Sequence, residues 1–280
     1  MQSMKKKHTT KQRKLLYYRF LLLLIIVMLL IIISFFASFI VPNDPYSNDS
    51  SAIRMAPNTK YFFGTDNLGR CVFSRVLMGA RTSICATLVL VSITFLFGTS
   101  LGILCGYYEG ILDIIVMRMI DVFLSVPQMI LAIAVAGILG GGMINAMLAL
   151  GFTNWIVYAR LAKSQTISVK KEEYIYAARL GGNSNLRIML VHIFPNIAGV
   201  LFVNATIQIA SMLIGFAGLS FLGLGVQTPK AEWGSMINES RAYIQLAPWA
   251  VIAPGGAVVF TAMLFNYLGD TARDLLEVKT

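Results

Sequence analysis

Charge is scarce in this sequence. Of 280 residues, 13% are Asp, Glu, Lys or Arg and 57% are hydrophobic, where a soluble domain carries about 25% charged residues. Together with a mean hydropathy of +0.72, this excludes a disordered chain and argues against a soluble enzyme, although length alone permits one. Histidine is nearly absent: His8 and His192 are the whole supply, which excludes histidine-rich metal chemistry. Cys71, Cys85 and Cys105 are scattered and odd in number, so neither a disulfide framework nor a Cys-x-x-Cys zinc site is signalled. The sequence lacks G-x-x-x-x-G-K-[ST], so it holds no phosphate-cradling loop, and it lacks the G-x-S-x-G and H-E-x-x-H elements of hydrolases. No internal repeat of the kind that builds secondary transporters is evident.

What is present is apolar length. Residues 1–19 form a basic head with Lys5, Lys6, Lys7, Lys11, Arg13, Lys14 and Arg19. Residues 20–41 follow without a charge, a run of roughly 33 Å as a helix, enough to cross a bilayer core. It is too long for a signal-peptide core, so the sequence predicts an uncleaved first helix with its basic flank in the cytoplasm. The polar stretch 42–81 reads as an extracytoplasmic loop. Five further spans are predicted at about 82–105, 114–139, 143–161, 197–216 and 248–268. The expected architecture is all-α and polytopic, with a core over 82–269 and both termini, including the tail 270–280, cytoplasmic. The net charge of +10 then reflects membrane orientation, and no nucleic-acid partner is expected.

Two places carry candidate chemistry. Arg118 and Asp121 lie three residues apart in the third span, where they can neutralise each other on one helix face. The expected reading is a structural ion pair at the cytoplasmic interface, with a role on a substrate path as the alternative. The segment 163–196 interrupts the apolar pattern with five basic residues. Glu172, Glu173, Tyr176, Arg179 and Leu180 recur at helical spacing, and Gly181-Gly182 ends that helix. A second amphipathic stretch, 186–194, is expected to stop at Pro195. Such a hairpin needs either a partner groove or the membrane surface to cover its apolar side.

The stretch YAARLGGNSNLRIMLVHIFP resembles the EAA loop of ABC-importer permeases. Ala177, Ala178, Gly182 and Pro195 match it, while Tyr176 stands for glutamate, His192 for isoleucine and Phe194 for leucine. FGTDNLGRCVFSRVLMGARTS (63–83), GYYEGILDIIVMRMIDVFLSVP (106–127), SFLGLGVQTPKAEWGSMI (220–237) and FNYLGDTARDLL (265–276) look like the peptide/nickel permease family, and specifically its second, dipeptide-type subunit. The resemblance covers about residues 62–276. Cys71 departs from it, where the family usually has aspartate.

The resemblance implies a type I ABC-importer permease fold in the bacterial plasma membrane. It implies a heterodimer with a second permease, two ATPase subunits that bind the ATP and Mg, and an extracytoplasmic binding protein. No cofactor, metal or catalytic residue is then expected in this chain, which is not itself an enzyme. Glu173, Tyr176, Ala177, Ala178, Arg179, Gly182 and Pro195 would form the coupling loop that docks on the ATPases. ATP-driven closure below would drive alternating access above. For substrate, NWIVYARL (154–161), AGLSFLGLGV (217–226) and KAEWGSMINESRAYI (230–244) look closer to nickel-type permeases, so nickel, as ion or chelate, is the expected cargo and a dipeptide or oligopeptide the alternative. A stand-alone membrane hydrolase or channel is the alternative of another class. Of its candidate nucleophiles, Ser34 and Ser38 have no histidine available to them, and Ser125 could pair by helical spacing with Asp121, but a carboxylate alone is a poor activator of serine.

Overall fold

The computed structural model describes residues 2–277, with side chains over 14–276. The side chains of Lys5, Lys6, Lys7, Lys11 and Arg13, and all of Lys279, lie outside the described residues. The chain is all-helical. In order, the main helices are α1 (Gln2–Phe35), α2 (Ala37–Ile40), α3 (Val72–Tyr108), α4 (Gly110–Leu124), α5 (Gln128–Ile138), α6 (Met143–Val169), α7 (Glu173–Leu180), α8 (Asn185–Arg187), α9 (Phe194–Phe221), α10 (Trp233–Ser240) and α11 (Trp249–Glu277). A π-helical segment, Ile188–Ile193, joins α8 to α9.

The centre of the molecule is the α3–α6 pair. Gly98 faces Trp155, Tyr158 and Ala159; Gly102 faces Ala159 and Ala162; Gly106 faces Lys163 and Thr166. The offset is constant, so the two helices run in the same direction and in register. A Cβ at any of these three glycines would strike the α6 backbone or its side chains, so only glycine permits this approach. Parallel packing has a consequence for the chain between. It must travel back across the membrane before α6 can begin, and α4 and α5 make that return.

They do so as a broken rod. The third span expected from the sequence is divided at Ser125–Pro127, and α4 and α5 meet at 91°. Pro127, with φ −54°, caps α5. Its missing N–H removes a ladder bond, and Ser125 Oγ instead bonds the Val122 carbonyl at 2.7 Å. The three glycines Gly140, Gly141 and Gly142 then turn the chain into α6 with φ of 84°, 72° and 97°.

Among the described residues, four helices are long and apolar enough to cross a membrane: α1 from Lys14, α3, the continuous 185–221 rod and α11; the bent α4–α5 pair, if one span, makes a fifth. The sequence predicts six spans. The remaining one, α6, is long enough at 27 residues, but Asn145, Thr153, Asn154, Arg160 and Lys163 make it more polar than the rest. Its buried face lies against protein, and Thr153 Oγ1 and Asn154 Nδ2 bond the Leu150 carbonyl at 3.1 and 2.7 Å. A helix covered by its neighbours tolerates such residues where a lipid-facing one does not. By contrast only 6% of the α1 span is buried; Val27 anchors it against Ala262, Phe265 and Leu268 of α11.

Two boundaries differ from expectation. The basic head is not a separate unit, because α1 is helical from Gln2. Pro195 does not stop the 186–194 stretch; that stretch is the first part of the α9 rod. Pro195 sits in the first turn of α9, next to the π-helical turns, where an absent N–H costs least.

Candidate functional site

The hairpin expected to be cytoplasmic rests on the C-terminal end of α3. Ile175 is the buried residue of α7, 1% exposed, and it joins Tyr107, Ile188, Met189 and Ile193 in the core. Tyr107 is the anchor. Its hydroxyl donates to Asn185 Oδ1 at 2.7 Å and accepts from Arg179 Nη2 at 3.5 Å. Its carbonyl accepts from Lys170 Nζ at 2.6 Å. The Lys170 ammonium and the Arg179 guanidinium flank its ring, 5.7 and 5.8 Å from the centroid. Lys170 also pairs with Glu109 at 3.1 Å. One aromatic side chain thus ties the ends of α3, α6 and α7 together.

The turn after α7 is built locally. Gly182 adopts φ 78°, a left-handed conformation that a residue with a Cβ takes only with strain. Asn183 returns both its N–H and its Nδ2 to the Ala178 carbonyl, at 3.2 and 2.9 Å. Ser184 then caps α8. The hairpin residues singled out in the sequence fall together on this element. Glu173, Tyr176, Ala177, Arg179 and Gly182 are exposed and Ala178 is half-buried. Leu180 is 90% exposed. Pro195 lies apart from them, exposed in the first turn of α9.

Arg118 and Asp121 do not form the ion pair expected of them. Both are exposed, and among the described residues neither has an ion-pair partner. The charges that lock α4 to its neighbours are Asp113, 2.5 Å from Lys163 of α6, and Glu109 at its N-terminus. Asp113 and Glu109 face α6, whereas Arg118 and Asp121 lie away from it.

The opposite end of the molecule is a dense polar cap that sequence reasoning did not find. Asp66 Oδ1 accepts from the N–H groups of Leu68 and Arg70, at 2.9 and 3.0 Å, and Oδ2 from Arg70 Nε at 2.7 Å. Arg70 and Arg75 both reach Glu239 Oε2, at 2.5 and 3.2 Å. Arg75 also donates to the carbonyls of Pro45 and Pro229, at 3.3 and 3.4 Å. Asp66, Arg70 and Arg75 are at most 3% exposed. Glu232 is fully buried and caps α10, accepting from Gly234 N, Ser235 N and Ser83 Oγ at 3.0, 2.8 and 3.1 Å. Burial pushes its carboxyl above the ordinary carboxylate range, opposed by those two backbone N–H groups. The indoles of Trp233 and Trp249 close the cap by bonding the carbonyls of Val76 and Thr65 at 2.9 and 3.0 Å. Cys71 caps α3, is buried, and accepts weakly from Asn43 Nδ2 at 3.6 Å. A local signal existed for the Asp66–Arg70 spacing. None existed for Glu239, because it is distant in sequence.

Comparison with known proteins places this geometry. The family model described as the binding-protein-dependent transport system inner membrane component matches residues 98–280. The chain is 38% identical over 246 residues to the dipeptide transport system permease protein DppC of Alkalihalophilus pseudofirmus, covering 88% of this chain and 81% of that protein. It is 40% identical over 247 residues to the glutathione transport system permease protein GsiD of Pectobacterium atrosepticum, covering 88% and 82%. It is also 40% identical over 244 residues to the probable D,D-dipeptide transport system permease protein DdpC of Escherichia coli K12, covering 87% and 82%. An inward-facing structure of the MetNI methionine ABC transporter superposes with a TM-score of 0.60 at 20% identity, over 74% of this chain and 97% of that one; it shares the fold.

Proposed function

Because the chain belongs to the family of inner-membrane components of binding-protein-dependent transport systems, a multi-pass ABC-importer permease that is not itself catalytic, we propose that it forms half of a pore that carries short peptides into the cytoplasm. The observation that carries this reading is the identity of 38–40% over most of the chain to permeases named for dipeptide, glutathione and D,D-dipeptide transport. The nickel cargo expected from the sequence gives way to the peptide alternative. The stretches that suggested nickel, 154–161, 217–226 and 230–244, serve packing: Trp155 and Ala159 receive α3, Ala217 receives Gly234, and Glu232 and Trp233 close the polar cap.

The partners follow from the family. A second permease completes the pore, two ATPases bind and hydrolyse ATP below, and a binding protein delivers cargo to the outer face. The hairpin of α7 and the Gly182 turn docks into an ATPase groove, with Glu173, Tyr176, Ala177, Ala178 and Arg179 on the docking element. Tyr107 passes its displacement to α3 and, through Lys170, to α6. The glycine-packed α3–α6 pair then moves as one body, while the break between α4 and α5 absorbs the change in angle. Packed interfaces of this kind switch between discrete arrangements rather than deforming continuously.

Uptake in cells lacking this gene tests the reading. Labelled dipeptide, labelled glutathione and nickel are offered side by side, and restoration by the gene is scored. Loss of peptide uptake alone is the expected result. Loss of nickel uptake alone overturns the peptide reading and leaves the permease assignment standing.

A further inference from the structure

An apolar helix that carries unpaired charges on its free face points to what that face meets. The buried face of α4 is Val116 and Ile120, which join Cys105, Trp155, Ile156 and Ala159 in one cluster. That cluster sets this stretch of α4 at the level of the inner part of the α3 apolar run. Apart from the half-buried Asp113, Met117 and Phe123, the rest of α4 is exposed and mostly aliphatic, with Ile111, Ile114, Ile115 and Val122 between 55% and 77% exposed. Into this face the sequence sets one cation and one anion, Arg118 and Asp121. Both are exposed, and among the described residues neither has an ion-pair partner. Charges within a membrane span face a cavity, a path or a partner rather than hydrocarbon. A pair facing only lipid would close on itself, since residues three apart on a helix are neighbours.

We propose that Arg118 and Asp121 read the two ends of a zwitterionic peptide in transit, Arg118 the carboxylate and Asp121 the ammonium. This rests on the peptide reading of the pore given above. The dimensions agree: residues three apart on a helix hold their Cβ atoms about 5–6 Å apart, and an extended dipeptide spans about 7 Å. The chemistry agrees too. A guanidinium presents a planar fork that matches a carboxylate, and a carboxylate is the natural acceptor for an ammonium. Asp121 lies in the last turn of α4, which ends at Leu124. The partial negative charge of a helix C-terminus adds to its attraction for a cation. The pair therefore has a direction: the peptide's ammonium lies toward the α4–α5 break and its carboxylate toward the cytoplasm. Both groups are exposed rather than buried in this chain, which keeps the contact weak, as a site that must release its cargo requires.

The test uses the assembled transporter in liposomes, with its partner permease, ATPases and binding protein, and labelled alanyl-alanine as probe. R118Q, D121N and the double variant R118Q/D121N are compared with the unaltered chain for peptide uptake and for co-purification of the complex. The expected result is at least a tenfold loss of uptake in each single variant, a loss no smaller in the double, and an intact complex throughout. R118K and D121E should restore most of the uptake. Three results overturn the proposal: uptake unchanged in the single variants; wild-type uptake in the double, which would mean the charges only cancel each other; or loss of the partner permease on purification, which would mean they pair across that interface. If the unaltered transporter carries no peptide at all, the peptide reading of the pore fails first and takes this inference with it.

Discussion

The polar cap at one end of the molecule and the α7 hairpin at the other are both polar, yet they are built in opposite ways. In the cap, almost every charge finds its partner inside the chain. Asp66, Arg70 and Arg75 are buried, Glu232 is fully enclosed, and two indoles bond backbone carbonyls across the fold. In the hairpin, one residue of α7 is buried, Ala178 is half-buried and the rest are exposed. A segment that satisfies its own polar groups is a structural plug. A segment that leaves an aliphatic side chain 90% exposed at its tip, as Leu180 is, is made to be covered by something else. Damage to the cap should therefore appear as lost folding, and damage to the hairpin as lost coupling in a folded protein.

The largest effect is expected in the cap. Arg75→Ala strips one guanidinium from Asp66 and Glu239 and leaves the Pro45 and Pro229 carbonyls without their donor. Breaking a buried ion pair from one side costs about 3–5 kcal/mol. Arg70 still neutralises part of the cluster, so the lower end of that range is expected. The check is the thermal midpoint of the purified protein in detergent, with expression level as a second readout. A midpoint unchanged within error would show that the cap is not the stabilising plug described here.

Glu232 sharpens the same comparison through pH. Its carboxyl is raised by burial, so the folded state holds the proton more tightly than the unfolded chain. Between the ordinary carboxylate range and the raised value, stability should fall as pH rises, and above the raised value the loss is complete. Glu232→Gln removes the titration and should flatten this slope. Thermal midpoints measured across pH 4 to 8 for both chains decide it, and parallel slopes would contradict the assignment.

How much of this was legible beforehand divides along the same line. The hairpin could be read because its signals are local: helical spacing from Glu173 to Leu180, then a glycine turn. The six apolar runs could be read for the same reason, except where geometry overrode composition. Pro127 suggested a kink, but only the parallel register of α3 and α6 explains why the chain between them must turn so sharply. Arg118 and Asp121 are spaced to pair, but the direction in which both face depends on what Val116 and Ile120 pack against, which the sequence does not announce. The cap was illegible because Glu239 meets Arg70 from far along the chain, and no local pattern announces such a contact.

A smaller effect is expected where the two regions are joined. Tyr107→Phe keeps the ring between Lys170 and Arg179 but removes the hydroxyl that bonds Asn185. One such bond contributes about 1 kcal/mol, so the thermal midpoint should shift only slightly. The larger consequence should be mechanical, because the hydroxyl links α3 to the start of the α9 rod. ATPase activity of the assembled transporter should respond less to delivered cargo. A variant that loses neither stability nor coupling would show that the ring alone carries the connection.

The smallest effect on the fold, and the most telling for function, belongs to Leu180. At 90% exposure it touches almost nothing in this chain, so Leu180→Ser should leave the thermal midpoint within the ±0.5 kcal/mol typical of surface changes. If an ATPase groove covers it, the same substitution removes an aliphatic anchor worth about 1.5–3 kcal/mol when fully buried. That corresponds to roughly a tenfold to hundredfold loss of ATPase binding. Stability and association would then separate completely in one variant, the reverse of what Arg75→Ala should show, where association fails only because folding does. Co-purification of the ATPases with Leu180→Ser at unaltered yield would mean that the tip of the hairpin faces solvent in the assembly as well, and that docking runs through Tyr176 and Ala178 alone.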